Sequence, residues 1–146
     1  MTGLRDVAIV GAGTTKYYRR GESVPRTTNE MACEAILNAC ADAGLSVRDI
    51  DGFAYYSGAS AGYTGKLDTA DFMEILGIPE VRFTASLTSG GGGSAGAIDL
   101  ARAAIVSGNA RVVVTVMALQ QSAQRLGTVF SAMSPDPMNS FLMPSG

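Results

Sequence analysis

Four consecutive glycines, Gly90–Gly93, lead directly into a segment of small residues, and this junction constrains the fold more than any other part of the sequence. Each glycine loses more backbone entropy on folding than any other residue, so such a run is favourable where the backbone must approach a ligand or another chain closely. The next segment, Ala95–Ser107, has the composition of a buried helix. The free N–H groups at the start of a helix favour an oxyanion or a thioester carbonyl. A flexible loop before a tightly packed helix explains the pattern equally well.

The composition excludes several classes of protein. The chain has 146 residues, enough for one domain with a core, and only 16% of them are charged, which favours burial of part of its exterior against other protein. A net charge of -2 does not favour binding to the negatively charged backbone of nucleic acids. No apolar run approaches the ~20 residues of a membrane span. Arg5 and Asp6 interrupt any signal-peptide core, so we expect a cytoplasmic protein with no membrane segment.

Residues that commonly bind metals or act as general bases are scarce. The sequence has no histidine, and its two cysteines, Cys33 and Cys40, do not form a CxxC pair. We therefore expect no metal site and no bound cofactor. Two helical turns separate the cysteines, which places both on one helix face but beyond the about 7 Å limit for a disulfide. Both are predicted to be core thiols.

Four short apolar segments predict strands. Val7–Val10 has the pattern of a buried parallel strand, and it is followed by a lone GxG at Gly11 and Gly13, which is a weak dinucleotide-binding signal. The other three predicted strands are Ile50–Tyr56, Val81–Ala85 and Arg111–Met117.

Helices are predicted between these strands. Thr27 and Glu30 have the spacing of a capping box, and Gly44 stands where a left-handed C-cap is common, so the first helix should run from about 28 to 43. A short helix is predicted over Thr69–Leu76, with Phe72, Ile75 and Leu76 on one side. The third helix follows the glycine run.

The alternation of these elements, βαβαβαβ, predicts an α/β fold with a mostly parallel sheet and helices on both faces. The sequence shows no repeat and no linker, so residues 1–146 are predicted to form one domain. After the last strand the apolar residues lose their period, and residues 119–146 are predicted to form a long covering loop.

Several short motifs keep a joint order and spacing from residue 4 to about 118. They are Asp6–Thr15, Glu34-Ala35, Ala41–Leu45, Asp49–Gly52, and Ala97–Gly108 with the following Val112–Val114. This arrangement resembles the thiolase superfamily, especially its lipid-transfer-protein branch, the sterol-carrier-protein-type thiolases. The resemblance implies the N-terminal portion of a thiolase-like fold, which consists of two similar halves.

The resemblance also locates a missing nucleophile. Thiolases place a reactive cysteine at the start of the third helix, and counting back from Ser107-Gly108 puts that position on Gly91. Glycine cannot form an acyl-enzyme, so thiolytic chemistry is not expected. Members of the branch without the cysteine resemble retro-aldolases of steroid side-chain degradation, which cleave a β-hydroxyacyl-CoA without a covalent nucleophile.

By this resemblance, Gly91 leaves space for a substituted carbon, and the Gly92 N–H faces the thioester oxygen of a CoA substrate. The further candidates for substrate binding are Gly90, Gly93, Ser94, Gln120, Gln121 and Arg125. The general acid and base are expected in the second half, outside this chain.

Partners are likewise implied by the resemblance. Thiolase-like proteins form homodimers by pairing the strand before the nucleophile helix, here Val81–Ala85, and the small residues of the helix after Gly93 would let subunits approach. A zinc-ribbon and OB-fold protein that helps to bind CoA accompanies many members of the branch. Two other functions remain open: a non-catalytic subunit that binds lipid or acyl-CoA or acts as a scaffold in a hetero-oligomer, and an acyl-CoA acetyltransferase with a borrowed nucleophile.

Overall fold

The computed structural model describes residues 7–19, 22, 24–56, 67–88 and 92–119. In chain order their elements are α1 (Thr28–Ala43), a 3-10 turn (Val47–Asp49), β1 (Gly52–Tyr56), α2 (Thr69–Leu76), β2 (Phe83–Leu87), α3 (Gly93–Val106) and β3 (Val113–Met117). None of the helices in these ranges is both long and apolar enough to cross a membrane.

Local capping determines where α1 begins and ends. The Thr27 hydroxyl accepts a hydrogen bond from the Glu30 N–H at 3.1 Å, and the Glu30 carboxylate accepts one from the Thr27 N–H at 2.7 Å. The backbone N–H of Thr27 is the main reason that the pKa of Glu30 lies below its ordinary value. At the other end, Gly44 adopts a left-handed conformation with φ of 66°. The predicted helix over 28–43 is therefore confirmed.

The three strands form a parallel sheet in the order β2-β1-β3. The middle strand, β1, is buried along its whole length. Phe53 lies on the face covered by α1 and α2, with its ring 5.3 Å from that of Phe72, whereas Ala54 packs against Ala97 of α3 on the other face. The predicted α/β architecture with helices on both faces is confirmed.

The cysteines and the short helix α2 show how far helical spacing predicts burial. Cys33 and Cys40 are buried in the core cluster as free thiols, as predicted. Phe72 of α2 is completely buried, whereas Ile75, which helical spacing puts on the same side, is 52% exposed.

The strand predicted at Val7–Val10 is not formed. These residues have no regular secondary structure and pair with no strand among the described residues, and Ile9 is 80% exposed. Instead, the segment that follows them is held against α1: the Ala12 N–H donates to Asp42 at 2.9 Å, and a Cβ on Gly11 would lie 2.5 Å from the Ala39 carbonyl oxygen. A cavity of about 330 Å³ is lined by residues 7–11 and by β3. The described element order is therefore αβαβαβ rather than βαβαβαβ.

Other elements also differ from their predictions. β2 lies two residues later than the predicted Val81–Ala85, and β1 and β3 begin two residues later than predicted, at Gly52 and Val113. α3 is not buried all round, because its buried stripe consists only of Gly93, Ala97, Ala101 and Ala104, while Ile98 and Leu100 are exposed on its outer side. The stripe follows helical spacing, which makes α3 an amphipathic helix with a buried face of very small residues.

Asp51 joins the amino-terminal ends of all three strands. Its carboxylate accepts hydrogen bonds from the N–H groups of Arg111 and Val112, each at 2.8 Å, just before β3. Its carbonyl oxygen accepts from the N–H groups of Arg82, at 2.8 Å, and Phe83, at 3.2 Å, where β2 begins. One residue thus satisfies four backbone donors at this edge.

We predict that Asp51→Ala lowers the free energy of unfolding by about 2–4 kcal/mol, because the Arg111 and Val112 N–H groups lose their acceptors. Urea denaturation of the full-length protein measures this change. Asp99→Ala, at an exposed position of α3, is the control and should change stability by less than about 0.5 kcal/mol. Equal effects of the two substitutions would contradict the role given to Asp51.

We also predict that both thiols resist alkylation in the native protein. Burial, followed by the nearby Asp71 carboxylate, raises the pKa of Cys33 from 9.0 to about 11, and burial raises the pKa of Cys40. Because the unfolded chain releases these protons first, stability should fall as the pH rises from 9 towards 11. Peptide-level mass spectrometry with iodoacetamide should show labelling in urea at least about 100-fold faster than in buffer. Rapid labelling of the native protein would disprove the burial of these thiols.

Candidate active site

The carboxyl ends of the three strands meet at one edge of the sheet, where α/β proteins commonly bind ligands. Tyr56, Leu87 and Met117 are the last residues of β1, β2 and β3, and they occupy the same register position. Helix α3 begins above this row, with Gly92 as its N-cap. The first turn of α3 is therefore the part of the glycine run that the structure places against the sheet.

Each of the three strand ends contacts the first turn of α3. Gly93 is buried against the ring of Tyr56, so closely that a Cβ at this position would overlap Cδ2 and lie 2.6 Å from Cε2. A Cβ on Gly96 would lie 2.9 Å from Cδ2 of Leu87. The Ser94 hydroxyl donates a hydrogen bond to the sulfur of Met117 at 3.2 Å. Close packing of the helix on the sheet therefore requires glycine at position 93.

The N–H groups of this first turn are not occupied by a side-chain cap. Gly92 has φ of -78° and ψ of -11°, and within the described part of the chain no side chain caps the helix. The first turn of α3 also carries no acidic residue. Among the described residues, therefore, no side chain competes for the positive end of the helix dipole, which favours acceptors such as a thioester or enolate oxygen.

The structure brings together three of the candidate residues and leaves the others undecided. Gly92, Gly93 and Ser94 all lie in the first turn of α3 or next to it. Gly92 has open space around it among the described residues, whereas Gly93 faces the Tyr56 ring. The remaining candidates lie outside the described residues: Gly90, Gly91, Gln120, Gln121 and Arg125.

Sequence reasoning missed the row formed by Leu87, Tyr56 and Met117. Each is the last residue of a strand, which is the only sequence signal that could have pointed to it.

Beside Met117, a cavity of about 230 Å³ reaches towards α1. Its lining residues are Gly13, Thr14, Thr15, Tyr17, Met31, Ala35, Met117, Ala118 and Leu119.

Polar groups also meet at the starts of α1 and α2. The side-chain amide of Asn29 donates to the Asp71 carboxylate at 2.5 Å, and the hydroxyl groups of Thr69 and Thr84 are also 2.5 Å apart.

Among the described residues no group of three or more histidine, cysteine, aspartate or glutamate side chains could hold a metal ion.

Comparison with known proteins gives this site a context. No family model matches the chain. A curated protein of Thermomonospora curvata, the "steroid side-chain-cleaving aldolase", is 33% identical over 117 residues, which cover 78% of this chain and 27% of that protein. The "17-hydroxy-3-oxo-4-pregnene-20-carboxyl-CoA lyase" of Mycobacterium tuberculosis is 32% identical over 148 residues, and the alignment covers 95% of this chain and 35% of that protein.

Solved structures agree with these relatives. A structure titled "Ltp2-ChsH2(DUF35) aldolase" is 31% identical, with a TM-score of 0.66 over 82% of this chain and 29% of that one. The 3-oxoacyl-[acyl-carrier-protein] synthase III of Aquifex aeolicus VF5 is 21% identical, with a TM-score of 0.53 over 64% and 30% of the two chains. This second likeness bears on the fold alone.

The class of protein follows from these similarities. The chain has a thiolase-like α/β fold. Its homologues include a steroid side-chain-cleaving aldolase and an acyl-CoA lyase. It spans about a third or less of the length of these curated relatives. The narrower assignment to the lipid-transfer-protein branch stays a prediction.

We predict opposite outcomes for alanine at two neighbouring glycines. Gly93→Ala should lower the free energy of unfolding by at least about 2 kcal/mol, because the new methyl group overlaps the Tyr56 ring. Gly92→Ala, which meets no described atom within 4 Å, should change stability by less than about 1 kcal/mol. Thermal and urea unfolding of the two variants measure the difference. If both are equally stable, the close approach of α3 to β1 is wrong.

Proposed function

We propose that this chain is part of a lyase that cleaves a steroid-derived β-hydroxyacyl-CoA by a retro-aldol reaction. The observation that carries the proposal is the similarity to a steroid side-chain-cleaving aldolase and to a 17-hydroxy-3-oxo-4-pregnene-20-carboxyl-CoA lyase, the second of which aligns with 95% of the chain. Glycine at position 91, where the resemblance to thiolases puts the nucleophilic cysteine, supports a reaction without an acyl-enzyme.

The proposed reaction needs no external oxidant or reductant. A base removes the proton of the β-hydroxyl group, and a carbonyl forms at that carbon as the bond between the α and β carbons breaks. The electron pair of this bond moves into the thioester, which becomes an enolate. A proton added at the α carbon then gives a shorter acyl-CoA, and the other product is a ketone or aldehyde. The step to be stabilised is the development of negative charge on the thioester oxygen.

The described residues support one part of this chemistry, the binding of that oxygen. The first turn of α3 presents N–H groups without a side-chain cap at the carboxyl edge of the sheet, and Gly92 stands in open space. Donors fixed in advance at this point would stabilise the enolate more than the substrate. We propose that Gly91 provides room for the substituted β carbon, and that Gln120, Gln121 and Arg125 line the passage.

The acid and base are proposed to lie outside this chain. The sequence has no histidine, and both cysteines are buried with raised pKa values. The aligned segments cover only 27% and 35% of the curated relatives, which leaves room for both groups in the rest of such a protein.

Two partners are part of the proposal. A protein with a zinc ribbon and an OB-fold would help to bind CoA. The similar aldolase structure combines two components, Ltp2 and ChsH2 (DUF35), which supports a hetero-oligomeric partner of some kind. A homodimer would form through β2, which is an outer strand of the described sheet.

The test is cleavage by the full-length protein together with any partner that copurifies. Steroid CoA thioesters with a β-hydroxyl group are incubated with it, and mass spectrometry follows the ketone and the shorter acyl-CoA. We expect Gly91→Leu to lower turnover by at least about 100-fold, since the leucine fills the space for the β carbon. Arg48→Leu, which introduces the same residue at an exposed position in the 3-10 turn, should leave turnover unchanged.

Other results would overturn the proposal. Saturable binding of the CoA thioester without cleavage would indicate a non-catalytic binding subunit. A stable increase in protein mass equal to an acyl group would indicate an acyltransferase. Unchanged turnover in Gly91→Leu would remove this position from the site.

A further inference from the structure

We propose that Tyr56 is a positioning residue for this site: its ring fixes the height of the first turn of α3 above the sheet, and thereby the N–H groups that bind the thioester oxygen. The inference rests on the proposed function for its catalytic consequence. Its structural part, that the Tyr56 ring holds the start of α3, stands on the contacts alone.

The contacts pair one strand end with each part of the first turn. We call Leu87, Tyr56 and Met117 the terminal row; its members share one register position and face α3. Tyr56 lies under Gly93, in the middle of the row, between Leu87 under Gly96 and Met117 beside Ser94. The start of α3 is thus supported from below across the full width of the described sheet.

Tyr56 is the rigid member of the terminal row. It is 6% exposed and belongs to the middle strand, which hydrogen-bonds to neighbours on both sides, whereas Met117 is 48% exposed. A tyrosine ring has few rotatable bonds and a large contact area, while methionine adapts its shape to its surroundings. The height of the helix start is therefore set mainly by the ring.

The ring takes the place of a local cap. Many helices are fixed at their start by a serine, threonine or aspartate that accepts a hydrogen bond from the first turn. Gly92 cannot do this, and no other described side chain caps α3. The contact between Gly93 and Tyr56 fixes the start of α3 without using any of its N–H donors, so the donors remain available to a substrate.

The expected effect of losing the ring falls on the transition state. Donors to an oxyanion must stand 2.7–3.1 Å from the oxygen, and a displacement of about 1 Å can lower a rate about 100-fold. The N–H groups are proposed to act mainly on the negative charge that develops on the thioester oxygen, so binding of the uncharged thioester should depend on them less. We therefore expect kcat to fall while KM changes little.

The test compares Tyr56→Leu with Tyr56→Phe and with the matched control Tyr55→Leu in the full-length protein. Tyr55 precedes Tyr56 in β1 and is 8% exposed, but it packs edge-on against Phe72 on the opposite face of the sheet. We expect Tyr56→Leu to lower kcat by at least about 10-fold with KM within about 3-fold, and Tyr56→Phe and Tyr55→Leu to keep kcat within about 2-fold for the folded fraction.

Hydrogen exchange supplies a readout that does not depend on activity. The amides of residues 97–100 are bonded to the first turn of α3, and we expect them to exchange faster in Tyr56→Leu than in Tyr56→Phe or Tyr55→Leu. Tyr56→Met, whose unbranched side chain is longer and adapts better to the space of the ring, replaces Tyr56→Leu in both measurements if the latter does not fold.

The outcomes separate this inference from the proposed function. Exchange at 97–100 that is the same in Tyr56→Leu and Tyr55→Leu overturns the positioning role, whatever the activity. A loss of kcat in Tyr56→Phe equal to that in Tyr56→Leu also overturns it, since the hydroxyl and not the ring would then be responsible. A wild-type protein that cleaves no CoA thioester overturns the proposed lyase activity, and the exchange data still decide whether the ring holds the helix.

Discussion

The burial of β1 between two helical layers is the constraint on which the rest of the described structure depends. All five residues of this strand are buried, so both faces must be covered. Phe53 fills one side against α1 and α2, whereas Ala54 leaves only a small gap on the other, where α3 packs with its own alanines. Each end of the strand contacts other elements. Asp51, just before the strand, hydrogen-bonds to the residues before β3, and Tyr56, its last residue, packs against the start of α3.

This asymmetry explains why the glycine run and the small-residue helix occur together. The close approach of α3 to β1 depends on small side chains at the contact: Gly93 makes room for the Tyr56 ring, and Ala97 and Ala101 pack against Ala54. The close approach brings the start of α3, which no described side chain caps, to the edge where the strands end. The glycine run with the small residues after it therefore accounts both for the close packing of α3 and for the position of its N–H donors. For this reason the sequence alone did not distinguish a packing role from a binding role.

Sequence reasoning succeeded where the deciding interactions are local. The bounds of α1 follow from the capping box at Thr27 and from Gly44, which act within one helical turn. It failed at Val7–Val10, because an apolar run becomes a strand only when another strand pairs with it, and among the described residues none does. The two-residue shift of β2 has the same origin, since register along a sheet is set by neighbouring strands rather than by a strand's own residues.

The sequence by itself determined the α/β class, the two buried thiols and the glycine-rich start of α3 as the candidate site, because composition, helical spacing and capping are properties of short segments. Tertiary structure alone decided that Gly93 must be glycine while Gly92 has open space, and that Tyr56 supports the helix start. Tyr56 and Gly93 are 37 positions apart in the chain. They meet only because strand pairing and the crossover of α3 over the sheet bring the end of β1 beneath the first turn of the helix.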